Sequence, residues 1–438
     1  MSDELFPDIE RRESSPREEA EPARYQTVNR TQVELTPCDL EALLPPGHAA
    51  RLVWRFVEGL DLSALYAAIK AREGRAGRPP IDPRILVALW LYATIDGVGA
   101  ARELDRLCVS HDAYRWLRGG VSVNHHTLSD FRVAHLAVLD DLLTQSIATL
   151  RHRGIVTLAR VAQDGTRIRA SAGVGSFRRA DTLRECLKAA EQLVARTKRQ
   201  GDGGLTRAEA AQARAAVDRL ARVEEALAEL PLVAAAKART ASKRKGATPK
   251  EARVSTTDPE ARVMKMADGG YRPAYNVQFA TDHDSDVIVG VAVTTSSAEQ
   301  AELVPMLEQV TARAGPPETV LVDGGFVAHD AIEAATERGV CVIAPVPRRP
   351  GTHEPVPVQP TDSPAVAAWR TRMQTDAAQQ QYRQRGAIAE RINADVRTHR
   401  TLGRVLVRGQ TRVLTCALWV ALAHNLVKTM EIVPHVMM

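Results

Sequence analysis

The sequence predicts a mixed α/β protein with a helical N-terminal domain and a helical insertion. The chain has 438 residues, too many for one compact core, so two or three domains are expected. Apolar residues recur at helical spacing from about residue 41 to residue 150. After residue 151, short β-branched runs alternate with amphipathic stretches, which is typical of a mixed sheet flanked by helices.

Composition and charge narrow the class of protein without fixing its function. Hydrophobic residues make up 45% of the chain, and the net charge is +5 with a pI near 9.0. This mild excess fits a polyanionic partner and, equally well, an ordinary arginine-rich protein. The five cysteines are scattered and form no C-x-x-C pair, so neither a zinc site nor a disulfide framework is expected.

The sequence shows no targeting segment that we recognise. Its start, MSDELFPDIERRESSPREEAEP, is polar and lacks the apolar region of a secretory signal. The most apolar late stretch, VLTCALWVALAHNLV, carries His424 and Asn425 and is too short to cross a bilayer. We therefore expect a cytoplasmic protein without membrane contact.

The N-terminal third divides into a tail and a set of helices. Residues 1–40 are rich in Glu, Arg, Pro and Ser and predict a disordered or extended tail. Within 41–150, GRPPIDPRILVALWLYATIDGV opens with prolines and continues as a nearly all-apolar helix, so it should be central. SVNHHTLSDFRVAH has a Ser/Asn start followed by a basic helix. Several short helices with tight turns suit a helix-turn-helix-like module.

From residue 151 onward the pattern changes to strands. GIVTLARVAQDGTRIRAS is rich in β-branched residues around Asp164. YRPAYNVQFATD and DVIVGVAVTTSS predict paired strands joined by the turn DHDS. AEQAELVPMLEQVTARAG predicts an amphipathic helix, TVLVDGG a strand, AHDAIEAATERG a helix and VCVIAPVP a further strand. A proline-rich loop then leads into the C-terminal helices.

One segment interrupts the strands and is strongly basic. Residues 176–250 read as two helices separated by GDGG, and they contain 17 Lys and Arg against 9 Asp and Glu. The whole chain has a net charge of only +5, so its positive charge is concentrated in this segment. A concentrated basic stripe favours a nucleic-acid partner, although a solvated helical hairpin has the same composition.

Two aspartates stand near the predicted ends of strands. Asp164 is followed by Gly165, which permits a close backbone approach or a bulge. Asp323 ends the apolar run TVLV and precedes two glycines. In extended geometry, Arg167 and Arg169 point away from the strand face of Asp164.

A third acid lies on the predicted C-terminal helix YRQRGAIAERINADVRTHR. An apolar stripe recurs every four residues of this helix: Ile388, Ile392 and Val396. Glu390 lies on the opposite face, which it shares with Asn393 and Arg397. The helix should therefore pack on one side and present Glu, Asn and Arg on the other.

Convergent carboxylates would have a specific chemical use. They hold two hard divalent cations about 3.5–4 Å apart, which activate an attacking hydroxyl and stabilise the leaving oxygen of a phosphodiester. Each acid also fits a structural role, with Asp323 as a turn former and Glu390 as a solvated helix residue. Spacing alone does not select a triad.

Several motifs, taken in order, resemble those of bacterial insertion-sequence transposases of the DDE type. AGRPPIDPRILVALWLYATIDGV, RELDRLC and AYRWLRGGVSVNHHTLSDFR resemble their helical N-terminal domain. DGTRIRASAG resembles their first-Asp motif, TTDPEARVMKMADGGYRPAYNVQFATD their second-strand signature and VLVDGGF their second-Asp motif. YRQRGAIAERINADVR and VRGQTRVLTCALWVALAHNL resemble their Glu-bearing C-terminal segment. The resemblance covers roughly residues 45–430.

This resemblance implies a DNA-binding role for the N-terminal helices. It also implies that residues 151–438 form an RNase H-like catalytic domain around the insertion. Asp164, Asp323 and Glu390 would then bind two Mg²⁺ or Mn²⁺ ions per active site. Asp395 is the alternative third acid.

The Glu-bearing helix departs from the family pattern by one residue. Tyr382 and Arg385 match the Tyr-Arg-Glu-Lys pattern of related elements. The Glu position of that pattern falls on Ala389, which cannot ligate a metal, so the resemblance assigns Glu390 instead. Arg397 stands where the pattern has Lys.

The resemblance further implies cleavage of double-stranded DNA at the terminal inverted repeats and strand transfer to target DNA. The protein would act in the bacterial cytoplasm, at the nucleoid, as a homodimer or larger assembly on DNA. The residues expected to contact DNA are Tyr382, Arg385, Arg397, Arg167, Arg169, Lys243, Arg244 and Lys245. Two alternatives are a metal-dependent nuclease without strand transfer and a non-catalytic DNA-binding protein derived from a transposase.

Overall fold

The structure is a computed structural model. It describes residues 31, 33, 37–71, 79–199, 206–242, 248–349 and 351–432. Nearly all of the predicted tail at 1–40 lies outside these residues. The protein is mixed α/β, as predicted, with helices in its N-terminal part and the first strand beginning at Arg160.

Helices form the N-terminal part of the chain, and strands and helices are interspersed after it. The first helices are α1 (Ala49–Glu58), α2 (Ser63–Ala67), α3 (Pro83–Ile95), α4 (Ala101–Ser110), α5 (Asp112–Arg118), α6 (His125–Ala134) and α7 (Leu136–His152). Then come β1 (Arg160–Arg169), β2 (Phe177–Arg178), α8 (Ala180–Arg199), α9 (Arg207–Ser242), β3 (Val254–Ser255), β4 (Arg262–Lys265), β5 (Tyr271–Asp282) and β6 (Ile288–Thr294). The last elements are α10 (Leu303–Ala314), β7 (Thr319–Leu321), α11 (His329–Glu337), β8 (Cys341–Ile343), α12 (Pro364–Arg372), α13 (Asp376–Thr398) and α14 (Gln410–Ile432).

Helix α3 is central to the helical part, as its apolar sequence predicts. Asp82 caps the helix by accepting a hydrogen bond from the Arg84 N–H, and Pro83 occupies the first turn, where no N–H is needed. Almost every residue of α3 is buried. Trp90 donates its indole N–H to Leu128 O at 3.0 Å, which ties α3 to α6.

The strands after the N-terminal helices form a six-stranded sheet. Its middle strand, β1, pairs antiparallel with β5 and parallel with β7, and β7 pairs parallel with β8. On its other edge, β5 pairs antiparallel with β4 and with β6. The hairpin predicted from YRPAYNVQFATD and DVIVGVAVTTSS is confirmed as β5 and β6. Because β1, β6 and β7 run in the same direction, their C-terminal ends lie at one end of the sheet.

Amide side chains from α10 and α14 cover the outer edge of β6. Asn425 accepts a hydrogen bond from the Ile288 N–H and donates one to Ile288 O, both at 2.8 Å. Gln309 pairs in the same way with Val291, at 2.8 and 3.0 Å. These side chains take the place of a neighbouring strand and block further edge pairing.

Helix α14 belongs to the core. Its apolar stretch was expected to be too short to cross a bilayer. That expectation is wrong, because the whole helix has 23 residues and is by length and composition apolar enough to cross one. However, 72% of its most apolar window is buried inside the protein, as in the core helix of a globular protein. It packs against α3, α7 and β6, so the helical part and the sheet share one hydrophobic core.

Helices α8 and α9 form the insertion predicted at 176–250. They pack on each other through a small apolar cluster: Leu183, Ala226, Val233 and Val254. At the base of the insertion, β2 pairs antiparallel with β3, which places Phe177 opposite Ser255. Residues 200–205 and 243–247 lie outside the described part of the insertion.

Candidate active site

Asp164 and Asp323 face one cleft from neighbouring strands. Asp164 lies in the middle of β1, not at its end as the sequence suggested, whereas Asp323 follows the end of β7 as expected. Ala162 pairs with Leu321 in the parallel register, so the aspartates two residues further along each chain segment lie side by side. Both line a cleft of about 540 Å³.

Two side chains of α13 occupy both carboxylate oxygens of Asp164. Arg385 Nη2 donates to Asp164 Oδ1 at 2.8 Å and lies 3.9 Å from Asp323 Oδ2. Asn393 Nδ2 donates to Asp164 Oδ2 at 2.8 Å. The guanidinium therefore lies between the two aspartates and supplies the positive charge that their side chains share.

The surroundings of Asp164 disfavour its charged form. Burial is the main cause that raises the pKa of Asp164, and the Arg385 charge opposes this rise. The carboxylates of Asp323 and Glu299 add to the rise, and the pKa that results is about 6. Three acids therefore lie close enough in this cleft to repel one another.

Glu299 is the acid that the sequence motifs did not reveal. It lies between β6 and α10 and lines the same cleft as Asp164 and Asp323. Asn276 Nδ2 donates to Glu299 Oε1 at 3.1 Å, and Gln278 Nε2 lies 3.5 Å from that oxygen. No local signal in the sequence marks this acid, because its place follows from the strand directions: Glu299 follows the C-terminal end of β6 as Asp323 follows that of β7.

The glycines beside the two aspartates make room for side chains. A Cβ on Gly165 would come within 3.0 Å of Glu299 Oε1, Gln278 Nε2 and Asn276 Oδ1, closer than real Cβ contacts. The expected close approach at Gly165 is thus confirmed: the side chains of neighbouring residues come close to its backbone. The register of β1 is continuous there, without a bulge. The Gly325 N–H donates to Asp323 Oδ1 at 2.7 Å, so Asp323 also forms the turn that the sequence allowed.

Helix α13 presents the face that its periodicity predicts. Glu390, Asn393 and Arg397 all line the cleft, while the apolar stripe on the other side is buried. Glu390 is exposed. Within the described part of the chain, no three acidic, His or Cys side chains are grouped closely enough to hold a metal ion. The cleft therefore brings Glu390 of α13 to the same opening as Asp164, Glu299 and Asp323.

Two sequence families match the chain. The family described as "Transposase DDE domain" matches residues 241–426, and the family described as "Transposase domain (DUF772)" matches residues 38–134. The chain has the domain pattern of an insertion-sequence DDE transposase. Comparisons with curated proteins and with solved structures gave no significant match.

The DDE match covers only part of the cleft. Glu299, Asp323 and Glu390 fall inside the matched segment, which begins at residue 241. Asp164 and helix α8 lie before this segment, and helix α9 ends at its start, at Ser242. The place of Asp164 in the cleft is therefore an observation of the structure alone.

The residues expected to contact DNA occupy different places in the structure. Arg397 and Arg167 border the cleft. Arg167 was expected to point away from the strand face of Asp164, yet it lines the same cleft and donates to Lys265 O at 2.8 Å. Arg169 is exposed at the end of β1. Tyr382 lines a separate cavity, so its expected contact with DNA stays a prediction.

The other expected positions are explained by their contacts or lie outside the described residues. Arg385 donates to Asp164 through Nη2, and its contact with DNA stays a prediction. Asp395, the alternative acid, pairs with Arg400 at 3.2 Å and His424 at 3.0 Å and has a structural role. Lys243, Arg244 and Lys245 fall outside the described residues.

Proposed function

We propose that this transposase cleaves DNA at the ends of its element and joins the freed 3′-hydroxyls to target DNA. The observation that carries the proposal is the meeting of Asp164 and Asp323 in one open cleft, from the neighbouring parallel strands β1 and β7. Three antiparallel strands (β6, β5 and β1) followed by the two parallel strands β7 and β8 are what an RNase H-like core requires. We therefore assign residues 151–438 to such a core and 41–150 to DNA binding.

The cleft suits a hard divalent cation in its chemistry. Its acids offer carboxylate oxygens, the ligands that Mg²⁺ and Mn²⁺ prefer. Asn393 Oδ1 is buried without a hydrogen-bond partner and would accept a hydrogen bond from a metal-bound water. Asp164, Asp323 and Glu390 would hold the two ions. When bound, such ions activate the attacking hydroxyl and stabilise the leaving oxygen of a phosphodiester.

The remaining side chains of the cleft would bind and orient the DNA. Asn393 fixes the rotation of the Asp164 carboxyl through its hydrogen bond. Arg167 and Arg397 border the cleft, where they would neutralise phosphates on either side of the scissile bond. Water is the nucleophile in cleavage and the 3′-hydroxyl in strand transfer. Positioning and charge neutralisation suffice for both in-line displacements, so no covalent protein intermediate is needed.

The test uses a duplex carrying the DNA that flanks the gene. Asp164→Asn, Asp323→Asn and Glu390→Gln should each abolish Mg²⁺-dependent cleavage while a mobility-shift assay still detects binding. Glu308→Gln is the control, because Glu308 is a half-exposed acid of α10 paired with Arg338 away from the cleft. Cleavage by any of the three variants would remove that residue from the catalytic set. A joining assay with pre-cleaved ends separates a transposase from a nuclease that performs no strand transfer. Absence of cleavage by the wild type with every divalent cation would support a non-catalytic DNA-binding protein.

A further inference from the structure

We propose that Glu299 is a fourth acidic residue of the active site and ligates a divalent cation together with Asp164 and Asp323. The inference rests on the proposed function and adds a residue that the sequence motifs do not contain. It also assigns a purpose to Gly165 and Gly325, which leave space for the Glu299 carboxylate.

The Glu299 carboxylate reaches both aspartates. One of its oxygens, Oε1, borders the backbone at Gly165, the residue directly after Asp164. A Cβ on Gly325 would lie 3.0 Å from the other oxygen, Oε2, and 2.9 Å from Asp323 Oδ1. The Glu299 carboxylate therefore lies between the middle of β1 and the turn after β7, next to the two aspartates that Arg385 also contacts.

Buried amides hold Glu299 in this position and leave acceptors without partners. Asn276 and Gln278 of β5 are fully buried. Each directs its side-chain nitrogen at Glu299 Oε1, while Asn276 Oδ1 and Gln278 Oε1 have no hydrogen-bond partner. Asn276 Oδ1 also borders the position of a Cβ on Gly165, so this buried acceptor lies next to the residue that follows Asp164. A buried acceptor without a donor costs free energy, and water bound to a cation would supply the donor.

The charges in the cleft support the same role. Glu299, Asp164 and Asp323 line one cleft, and Arg385 pairs with the two aspartates. A divalent cation between the carboxylates would relieve their mutual repulsion.

The test measures Mn²⁺ binding to the full chain by isothermal titration calorimetry and by the electron paramagnetic resonance signal of free Mn²⁺. Glu299→Gln should weaken Mn²⁺ binding by about 10–100-fold, the range seen when groups around a metal are lost. Glu302→Gln is the matched control, because it removes a nearby acid that does not line the cleft. We expect Glu302→Gln to bind Mn²⁺ within about twofold of wild type, and Asp164→Asn to bind it weakly.

The variant Glu299→Asp tests whether Glu299 ligates the cation directly or acts only through its charge, and it replaces Glu299→Gln if that variant does not fold. It keeps the charge but retracts the carboxylate by one methylene. Weakened Mn²⁺ binding by Glu299→Asp supports direct ligation, and wild-type Mn²⁺ binding overturns it. Wild-type Mn²⁺ binding by folded Glu299→Gln would equally overturn the inference. If Asp164→Asn abolishes DNA cleavage while Glu299→Gln binds Mn²⁺ normally, only this inference fails. Undiminished cleavage by Asp164→Asn would instead contradict the proposed function.

Discussion

Replacing Gly325 by alanine should damage the cleft, whereas the same change at Gly324 should be tolerated. Neither glycine has a positive φ, so the backbone accepts alanine at both positions. A Cβ on Gly325 would lie 2.9 Å from Asp323 Oδ1 and 3.0 Å from Glu299 Oε2. A Cβ on Gly324 would meet only Pro345 Cγ, at 3.5 Å. The two variants therefore differ in which groups must move.

The size of the effect follows from these distances. Ordinary contacts of a Cβ begin at 3.4 Å, so the two carboxylates must move by about 0.4–0.5 Å. Catalytic groups must be held within about 0.5 Å, and a misplacement of about 1 Å can cost about 100-fold in rate, so the movement needed here should cost about tenfold. We expect Gly325→Ala to slow Mg²⁺-dependent DNA cleavage by about tenfold and Gly324→Ala to change it by less than about twofold.

The assay is single-turnover cleavage of the flanking-DNA duplex, with thermal unfolding of each variant followed by circular dichroism. Alanine at a compatible glycine position stabilises a protein by about 0.4–1 kcal/mol through the unfolded state, so neither variant should lose global stability by that route. Equal cleavage rates for Gly324→Ala and Gly325→Ala would refute the reasoning. A similar loss in both would point to the backbone of the turn instead of the carboxylates.

Three further predictions concern charge and buried hydrogen bonds. Arg385→Ala should tighten Mn²⁺ binding by about threefold to tenfold in calorimetric titration, because it removes a cation that competes for Asp164; weaker binding would contradict this. Asn425→Leu leaves the N–H and C=O of Ile288 without partners and should cost about 1–3 kcal/mol for each group in urea unfolding, and an unchanged midpoint would refute the role of this amide. Burial alone would raise the pKa of Asp395, but its His424 and Arg400 partners together lower it below 3.8. The destabilisation by Asp395→Asn should therefore be complete at neutral pH and shrink as the pH falls below about 3.8. Urea unfolding that shows the same difference in stability between wild type and Asp395→Asn across this pH range would contradict the prediction.

Local periodicity predicted most of the elements that form the cleft. The β-branched run around Asp164, the hairpin of β5 and β6, and the apolar stripe of α13 all reflect short-range spacing. The pair β2–β3 and strand β4 escaped prediction because, unlike the equally short β7 and β8, they do not lie in continuous apolar, β-branched runs. Such strands depend on packing against neighbours more than on their own sequence.

The composition of the cleft depends on long-range packing, which local patterns do not contain. Glu299 stands just before an amphipathic helix and has the sequence context of a solvated residue. Its place beside Asp323 follows only from the strand order, which directs β6 and β7 to the same end of the sheet. Arg385 was expected to face DNA, and its bond to Asp164 joins residues far apart in the chain. The resemblance supplied the family, whereas the geometry supplied these partners.

The glycines beside the aspartates and the arginine between them belong to one arrangement. Gly165 and Gly325 allow a third carboxylate to approach two others that are already close, so the protein concentrates negative charge where burial disfavours it. A fold tolerates such a cluster only if positive charge is supplied to it. In this structure Arg385 supplies that charge from α13, the helix that also carries Glu390. Cation binding between the aspartates and displacement of Arg385 should therefore be coupled, and any shift of α13 during that exchange would move Glu390 as well.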